Sequence, residues 1–567
     1  MGLACAIAAT ALMAVPVGAA PLNPELNIGV RQRFGQNPKD QLVLQALPGD
    51  RLTVTFPNRG KPATWVTDKI QIAIAMEPLA QPRQDERLVL SSHRSFESAE
   101  TSANYWRKQG VETEIAQPDN WQVWAKRDRY DSTVTRLLLL QDLKMKGLTT
   151  GRLERKTWTA IPKLSWVANG YRFNRNEIDI AAGKNIIQVG THKYGGRLHF
   201  QPNSYGTYTL VNRVPVETYL RGVVPYEIGQ NAPQTAVEAQ TILARTYALR
   251  NLRRFQIDRY ELCADTQCQV YEGLGTTNPM ADAAIAATTG QVLTYNNELI
   301  DALYSSTTGG VTAPFEDVWE GTARPYLKAR IDASPNRIWD LKARSLADEK
   351  TFRDFIQLKK GFNEDGWGYL RWSAETPVKQ LNQELRDFLK KQQNPLAKFG
   401  TLTNVEVVSR SAAGRVQRVR ATTDIGTIEL TKDEVLLAFS APNSLLFYVD
   451  PVFQNGNPQN GATAPKTLLA VKFVGGGLGH GVGLSQTGSY ALSQMGWSAS
   501  QILSFYYPNT ILQPLTDKIA YWREMSVSPT PVKQSATDDG EGWSIFGWKF
   551  PELGLQPFFQ WIKSLVA

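Results

Sequence analysis

Short apolar runs dominate the start of the chain. Between residues 26 and 75, "LNIGV", "QLVLQAL" and "RLTVTF" are separated by Gly, Pro and Asn turns, which predicts a strand-rich segment over 21–85. From 86 to 150 the period changes repeatedly. "RLVLSS" reads as extended, and Phe96, Ala99, Ala103 and Trp106 then fall at helical spacing until Gly110. "VETEI" and the alternation of Trp121, Val123 and Ala125 predict two more strands, and a helix follows with Asp131 as N-cap and Gly147 as its stop. Residues 86–150 therefore read as a small α+β module.

Residues 165–515 form the expected core. Val223 and Val224 read as the end of a buried strand broken by Pro225. Pro233 then precedes a long helix from about 234 to 253, with Ala236, Ala239, Leu243 and Tyr247 as its apolar stripe. "TPVKQLNQELRDFLKKQ" is helical, "VEVVSR", "RVQRVRAT" and "GTIELT" are strand-like, and Ser498 leads a further helix. The fold class is α+β, with a cleft between two lobes of the core. Residues 526–542, "SVSPTPVKQSATDDGEG", are a linker by composition, and 543–567 form an aromatic tail. The tail is read as docking on the protein body. It carries few basic residues, and membrane contact is left open.

Composition changes this picture in two places. The first 24 residues carry no charged side chain, and the run ends at Val17-Gly18-Ala19, a small-x-small cleavage pattern. Residues 1–20 are read as a signal peptide and the protein as exported, to the periplasm or cell wall. A short uncleaved anchor is the alternative, disfavoured by Pro16 and Pro21. In an oxidising compartment Cys263 and Cys268 of "CADTQC" favour a local disulfide over a metal site, which needs about four ligands. The net charge of +9 is spread without a Lys/Arg block, which suits an acidic polymer or membrane better than nucleic acid.

Three clusters carry candidate chemistry. In the first, Glu227 follows Val223, Val224 and Pro225, and Gln240 and Arg245 lie on the helix behind it. Spacing alone favours an exposed loop carboxylate at Glu227 over one lining a cleft. In the second, Tyr304, Ser305, Ser306, Thr307 and Thr308 run into Gly309 and Gly310. Hydroxyls and an aromatic ring suit sugar recognition, and a turn capped by its own hydroxyls is the alternative. The third is "GGGLGHGVGLSQTG" (475–488), which holds His480, Ser485 and Gln486. No Gly-Lys-Ser/Thr follows and the glycine spacing is not a dinucleotide fingerprint, so no cofactor is expected.

Four motifs occur in order: "YLRGVVPYEIG…AVEAQTILARTYAL", "CADTQCQVYEG", "YSSTTGGVT…DVWEG…PYL" and "GGGLGHGVGLSQTGSYAL". With these the chain resembles the stage II sporulation protein D family, which includes amidase enhancers. In pattern and length, 86–150 resembles a sporulation-related repeat (SPOR) domain, a small fold that binds peptidoglycan glycan strands. The first resemblance implies a lytic transglycosylase that cleaves the MurNAc–GlcNAc bond of glycan stripped of stem peptides and leaves a 1,6-anhydro end. It places the catalytic glutamate at Glu227 and matches the helix motif at Gln240 and Arg245. Glu238 stands where many members have lysine. Gln267 stands where they often have histidine, so no metal is carried over. Tyr304, Ser305, Ser306, Gly309, Gly310, His480, Ser485 and Gln486 become candidates for holding the sugar, His480 as a positioning residue. The second reading is a non-enzymatic wall-binding enhancer whose partner is an amidase.

Overall fold

The computed structural model describes residues 22–454 and 467–522, together with the backbone of a small antiparallel pair, Ser544–Ile545 with Trp548–Lys549, which belongs to a separate C-terminal unit. The expected signal peptide and linker lie outside the described residues, as do the side chains of the aromatic tail. Among the described residues no helix is long and apolar enough to cross a membrane.

Alternation along the first strands builds two sheets over one core. In Leu52–Asn58, Leu52, Val54 and Phe56 turn inward while Thr53 is exposed. This strand belongs to a seven-stranded sheet that also contains Glu25–Phe34, Arg197–Pro202 and Tyr208–Pro215. A second sheet of eight strands is built around Lys69–His93, a 25-residue strand paired with Arg152–Ala168. The faces meet through side chains such as Phe56 and Trp166, whose rings lie edge to face at 5.5 Å.

The same long strand carries the chain into the 86–150 segment. There a helix α1 (Phe96–Lys108), strands Thr113–Ala116 and Trp121–Ala125, and a helix α2 (Thr133–Met145) follow in order. The cap of α2 is Ser132, one residue beyond the expected Asp131, because the Ser132 hydroxyl accepts from the Thr135 amide at 3.1 Å. Ion pairs of α1 fasten this segment to the core: Glu97 to Arg254, and Glu100 to Arg253 through two bonds of 2.5 and 2.7 Å.

The expected strand ending at Val224 is instead a helix, α3 (Val216–Glu227). Val216, Tyr219, Leu220, Val223 and Val224 recur at the three-four spacing of one helical face, and all are buried. Pro225 is tolerated because it falls in the last turn. The helix starts on Asn23 and Pro24, whose side-chain and main-chain oxygens accept from the Glu217 and Val216 amides. Behind it runs α4 (Gln234–Arg250), with buried residues on every side of its axis from Ala236 onward. It is the central helix of the core rather than an amphipathic one, and packs against α3, α5 (Pro279–Ala287), α6 (Gln486–Gln494) and α7 (Ala499–Tyr506).

Of the elements after residue 303, α6 and α7 pack on α4. Tyr304–Ser305 pairs in parallel with Leu484–Ser485, which brings the hydroxyl run and the glycine-rich stretch side by side. Gly483 permits this. Its φ is +74°, and a Cβ there would lie 2.0 Å from the Leu303 carbonyl oxygen. The glycines thus admit the protein's own backbone next to the hydroxyl run.

Candidate active site around Glu227

Glu227 ends α3 with its carboxyl half-buried. Its Oε1 accepts the Val270 amide at 2.7 Å. Val270 lies two residues after the loop closed by the Cys263–Cys268 disulfide, so the cysteine pair supports the segment that meets the glutamate. Tyr304 and Gln486 also reach the Glu227 side chain. The Gln486 amide in addition donates to the Glu227 main-chain carbonyl at 2.6 Å. Burial pushes the carboxyl up to about 7, against the opposing pull of the Val270, Tyr304 and Gln486 hydrogen bonds. The groups that act on it are neutral. Arg245 is not among them.

Behind this shell lies a relay of buried polar groups. Gln269 donates to the Tyr304 hydroxyl at 2.9 Å and accepts from the Tyr219 hydroxyl at 3.3 Å. The backbone after Glu227 is held by the Tyr490 hydroxyl, which donates to the Ile228 carbonyl. Gln269, Tyr219 and Tyr490 sit inside the quoted motifs but were not singled out. The only sequence signal for Gln269 is its place directly after the second cysteine of the pair.

Of the candidates read from the sequence, Glu227, Tyr304 and Gln486 come together. Ser306 is half-buried beside them, its carbonyl accepting from the Thr487 amide and hydroxyl at 3.2 and 3.1 Å. His480 is half-buried and neutral, because burial lowers its imidazole to about 4. Its ring lies tilted 5.0 Å from Trp319, accepts from the Val482 amide at 3.0 Å and also meets the Tyr304 backbone, so it ties the glycine-rich loop to the hydroxyl run.

The remaining candidates do not join Glu227, and most of them are hydrogen-bonded to other parts of the protein. Arg245 is fully buried in a two-bond pair with Glu217, both bonds 2.7 Å, and donates to the Gln291 carbonyl. Gln240 is fully buried, and neither end of its amide has a hydrogen-bond partner among the described residues. The Gly309 and Gly310 amides donate to Glu364 at 3.0 and 3.1 Å. Ser485 donates to Glu364 at 2.6 Å and caps α6. The Ser305 hydroxyl turns inward to the Thr307 carbonyl at 3.4 Å. For Arg245, Ser305, Ser485, Gly309 and Gly310 the polar group is taken up inside the protein, whereas the Gln240 amide is buried without a partner among the described residues. Among the described residues no cluster of three or more His, Cys, Asp or Glu is arranged to hold a metal ion.

Residues 204–295, which contain Glu227, Val270, Gln269 and Tyr219, match the model of the stage II sporulation protein family, and 313–483 match a domain of unknown function. The amidase enhancer of Bacillus subtilis is 30% identical over 389 residues, covering 61% of this chain and 50% of that protein. The stage II sporulation protein D of the same organism is 26% identical over 317 residues, covering 53% of this chain and 75% of its own length. An uncharacterized protein of Brachyspira hyodysenteriae is 25% identical over 321 residues, 56% of this chain and 71% of its own. The chain thus spans half the length of the amidase enhancer it matches. Together these matches show the resemblance to the stage II sporulation protein D and amidase enhancer family that the four motifs carry.

Proposed function

We propose that this chain acts on the bacterial cell wall as a lytic transglycosylase, cleaving the MurNAc–GlcNAc bond of denuded glycan with Glu227 as its acid and base. The observation that carries the reading is the placement of Glu227, a half-buried carboxyl held by the Val270 amide, Tyr304 and Gln486 with no charged partner, where burial pushes it up to about 7. Glycosidases that use water usually need two carboxyl groups. An intramolecular displacement needs one, since the C6 hydroxyl of the muramoyl sugar is the nucleophile. Glu227 protonates the glycosidic oxygen as the C1–O bond breaks. The carboxylate then takes the C6 hydroxyl proton as O6 bonds to C1, which restores the acid and leaves the 1,6-anhydro ring. A value near neutrality suits both halves of this cycle. Tyr304 and Gln486 hold the carboxyl, and Ser306 is available to a sugar hydroxyl. A cleft between the α3–α4 body and the 303–522 segment would take the strand, with 86–150 as a SPOR-like second contact for it.

The match to an amidase enhancer favours one other reading, a wall-bound protein that activates an amidase without cutting glycan itself. Incubating the purified protein with denuded strands separates the two. The enzyme yields anhydromuramoyl ends unaided, whereas an enhancer yields none and instead raises the rate of an added amidase.

A further inference from the structure

Asp332 and Glu364 are both fully buried and share one hydroxyl. Thr308 Oγ1 lies 2.9 Å from Glu364 Oε1 and 3.1 Å from Asp332 Oδ2. A threonine hydroxyl has one proton to give and can satisfy only one of these contacts as donor. The other contact needs a proton on the carboxyl. The remaining partners decide which. Glu364 also accepts the Thr308, Gly309 and Gly310 amides and the Ser485 hydroxyl, so every group around it is a donor. Asp332 accepts Asn363 and the Tyr506 hydroxyl, both at 2.8 Å, on Oδ1 alone, which leaves Oδ2 to donate to Thr308.

We propose that Asp332 and Glu364 form a one-proton carboxyl clamp that locks the hydroxyl run to the start of α6 and so positions Tyr304 and Gln486 on Glu227. Glu364 grips Thr308–Gly310 with one hand and Ser485 with the other. Tyr304 lies four residues before Thr308 on the strand paired with Leu484–Ser485, and Gln486 is the next residue after Ser485. Both carboxyls lie in the 313–483 segment, outside the 204–295 match that holds Glu227, so the clamp gives the domain of unknown function a role at the site.

The surrounding charges agree. Burial and the Glu364 charge raise the Asp332 carboxyl well above the carboxylate range. Two buried guanidiniums feel Glu364. Arg371 donates to the Gly309 carbonyl at 2.9 Å, and Arg415 donates to the Thr308 and Val311 carbonyls at 3.0 and 2.9 Å. The other titratable groups near the clamp are Tyr506, Asp365 beside Arg371, and Asp317 beside Arg415.

The clamp's link to catalysis rests on the reading of Glu227, but its test does not. Asp332→Asn, Glu364→Gln and Thr308→Val are made in the full chain. Asp332→Asn keeps the acceptor toward Asn363 and Tyr506 and offers an N–H to Thr308, so it mimics the protonated acid. Glu364→Gln turns an NH2 toward donors. Because the folded carboxyl is raised, the contribution of Asp332 to stability is full below the ordinary Asp range and is lost as pH rises toward the alkaline side. The thermal midpoint of wild type falls more steeply than that of Asp332→Asn from about pH 5 to about pH 9. Hydrogen exchange at the Val270 amide, which donates to Glu227, is unchanged in Asp332→Asn and at least about tenfold faster in Glu364→Gln. Thr308→Val shows the same acceleration if Glu364→Gln does not fold. Parallel midpoint curves for wild type and Asp332→Asn overturn the shared proton. Unchanged Val270 exchange in Glu364→Gln or Thr308→Val overturns the positioning. Absence of glycan cleavage by wild type counts against the Glu227 reading alone.

Discussion

Gln486 and Glu227 lie 259 positions apart in sequence, yet the Gln486 amide donates to the Glu227 carbonyl at 2.6 Å. The bond joins the first residue of α6 to the last residue of α3. It fixes where Glu227 sits relative to the glycine-rich stretch.

Removing that bond has a modest cost to the fold and a larger one to the chemistry. Gln486→Ala is expected to lower unfolding stability by about 1 kcal/mol in urea titration. Because Gln486 also touches the reacting carboxyl, kcat falls roughly tenfold, the equivalent of about 1.4 kcal/mol in the barrier.

The raised Glu227 carboxyl sets a pH profile. In the proposed cycle Glu227 must carry its proton, so kcat/KM is expected to be flat on the acid side and to decline as pH rises through about 7. The stability sign is the same. A carboxyl raised on folding supports the native state fully below its ordinary value of 4.5, and that support is lost as pH rises through about 7. Glu227→Gln therefore gains on the order of 1–3 kcal/mol over wild type on the alkaline side, read by denaturant midpoints at several pH values.

Arg245 is paired with Glu217 inside the fold. Arg245→Met leaves Glu217 without its partner and is expected to cost about 3–5 kcal/mol, since breaking a buried pair strands the other charge. KM of whatever fraction stays folded is unchanged. A selective rise in KM at full stability would return Arg245 to the substrate.

His480 titrates low because burial disfavours its charged form. Wild type accordingly loses stability as pH falls from about 6.5 to about 4, and His480→Ala lacks that acid-side loss. At neutral pH the substitution costs about 1–3 kcal/mol through the lost Trp319 contact and Val482 bond. Activity follows the folded fraction.

Much of the fold was legible where one local rule dominated. Alternation marked Leu52–Asn58, helical spacing and Gly110 marked α1, and Ser498 capped α7 as read. Alpha-3 was misread because two adjacent valines before a proline look like a strand end. The wider spacing from Val216 to Val224 decides for the helix. The site was half legible. Composition drew attention to Tyr304, Gln486 and the cysteine pair, and resemblance to Glu227. Which polar groups are spent inside depends on long-range pairing. Nothing near Arg245 in sequence announces Glu217 as its partner, and nothing near Gly309 announces Glu364. For the same reason Gln240, polar on a buried helix, cannot be told from a ligand-facing residue by spacing alone.

The most direct measurement is product release from denuded glycan strands by wild type and Glu227→Gln, read by mass spectrometry for anhydromuramoyl ends. The account predicts such ends from wild type and a loss of at least about a thousandfold in Glu227→Gln with its fold intact. Equal release by the two proteins, or none from wild type while an added amidase is accelerated, would contradict it.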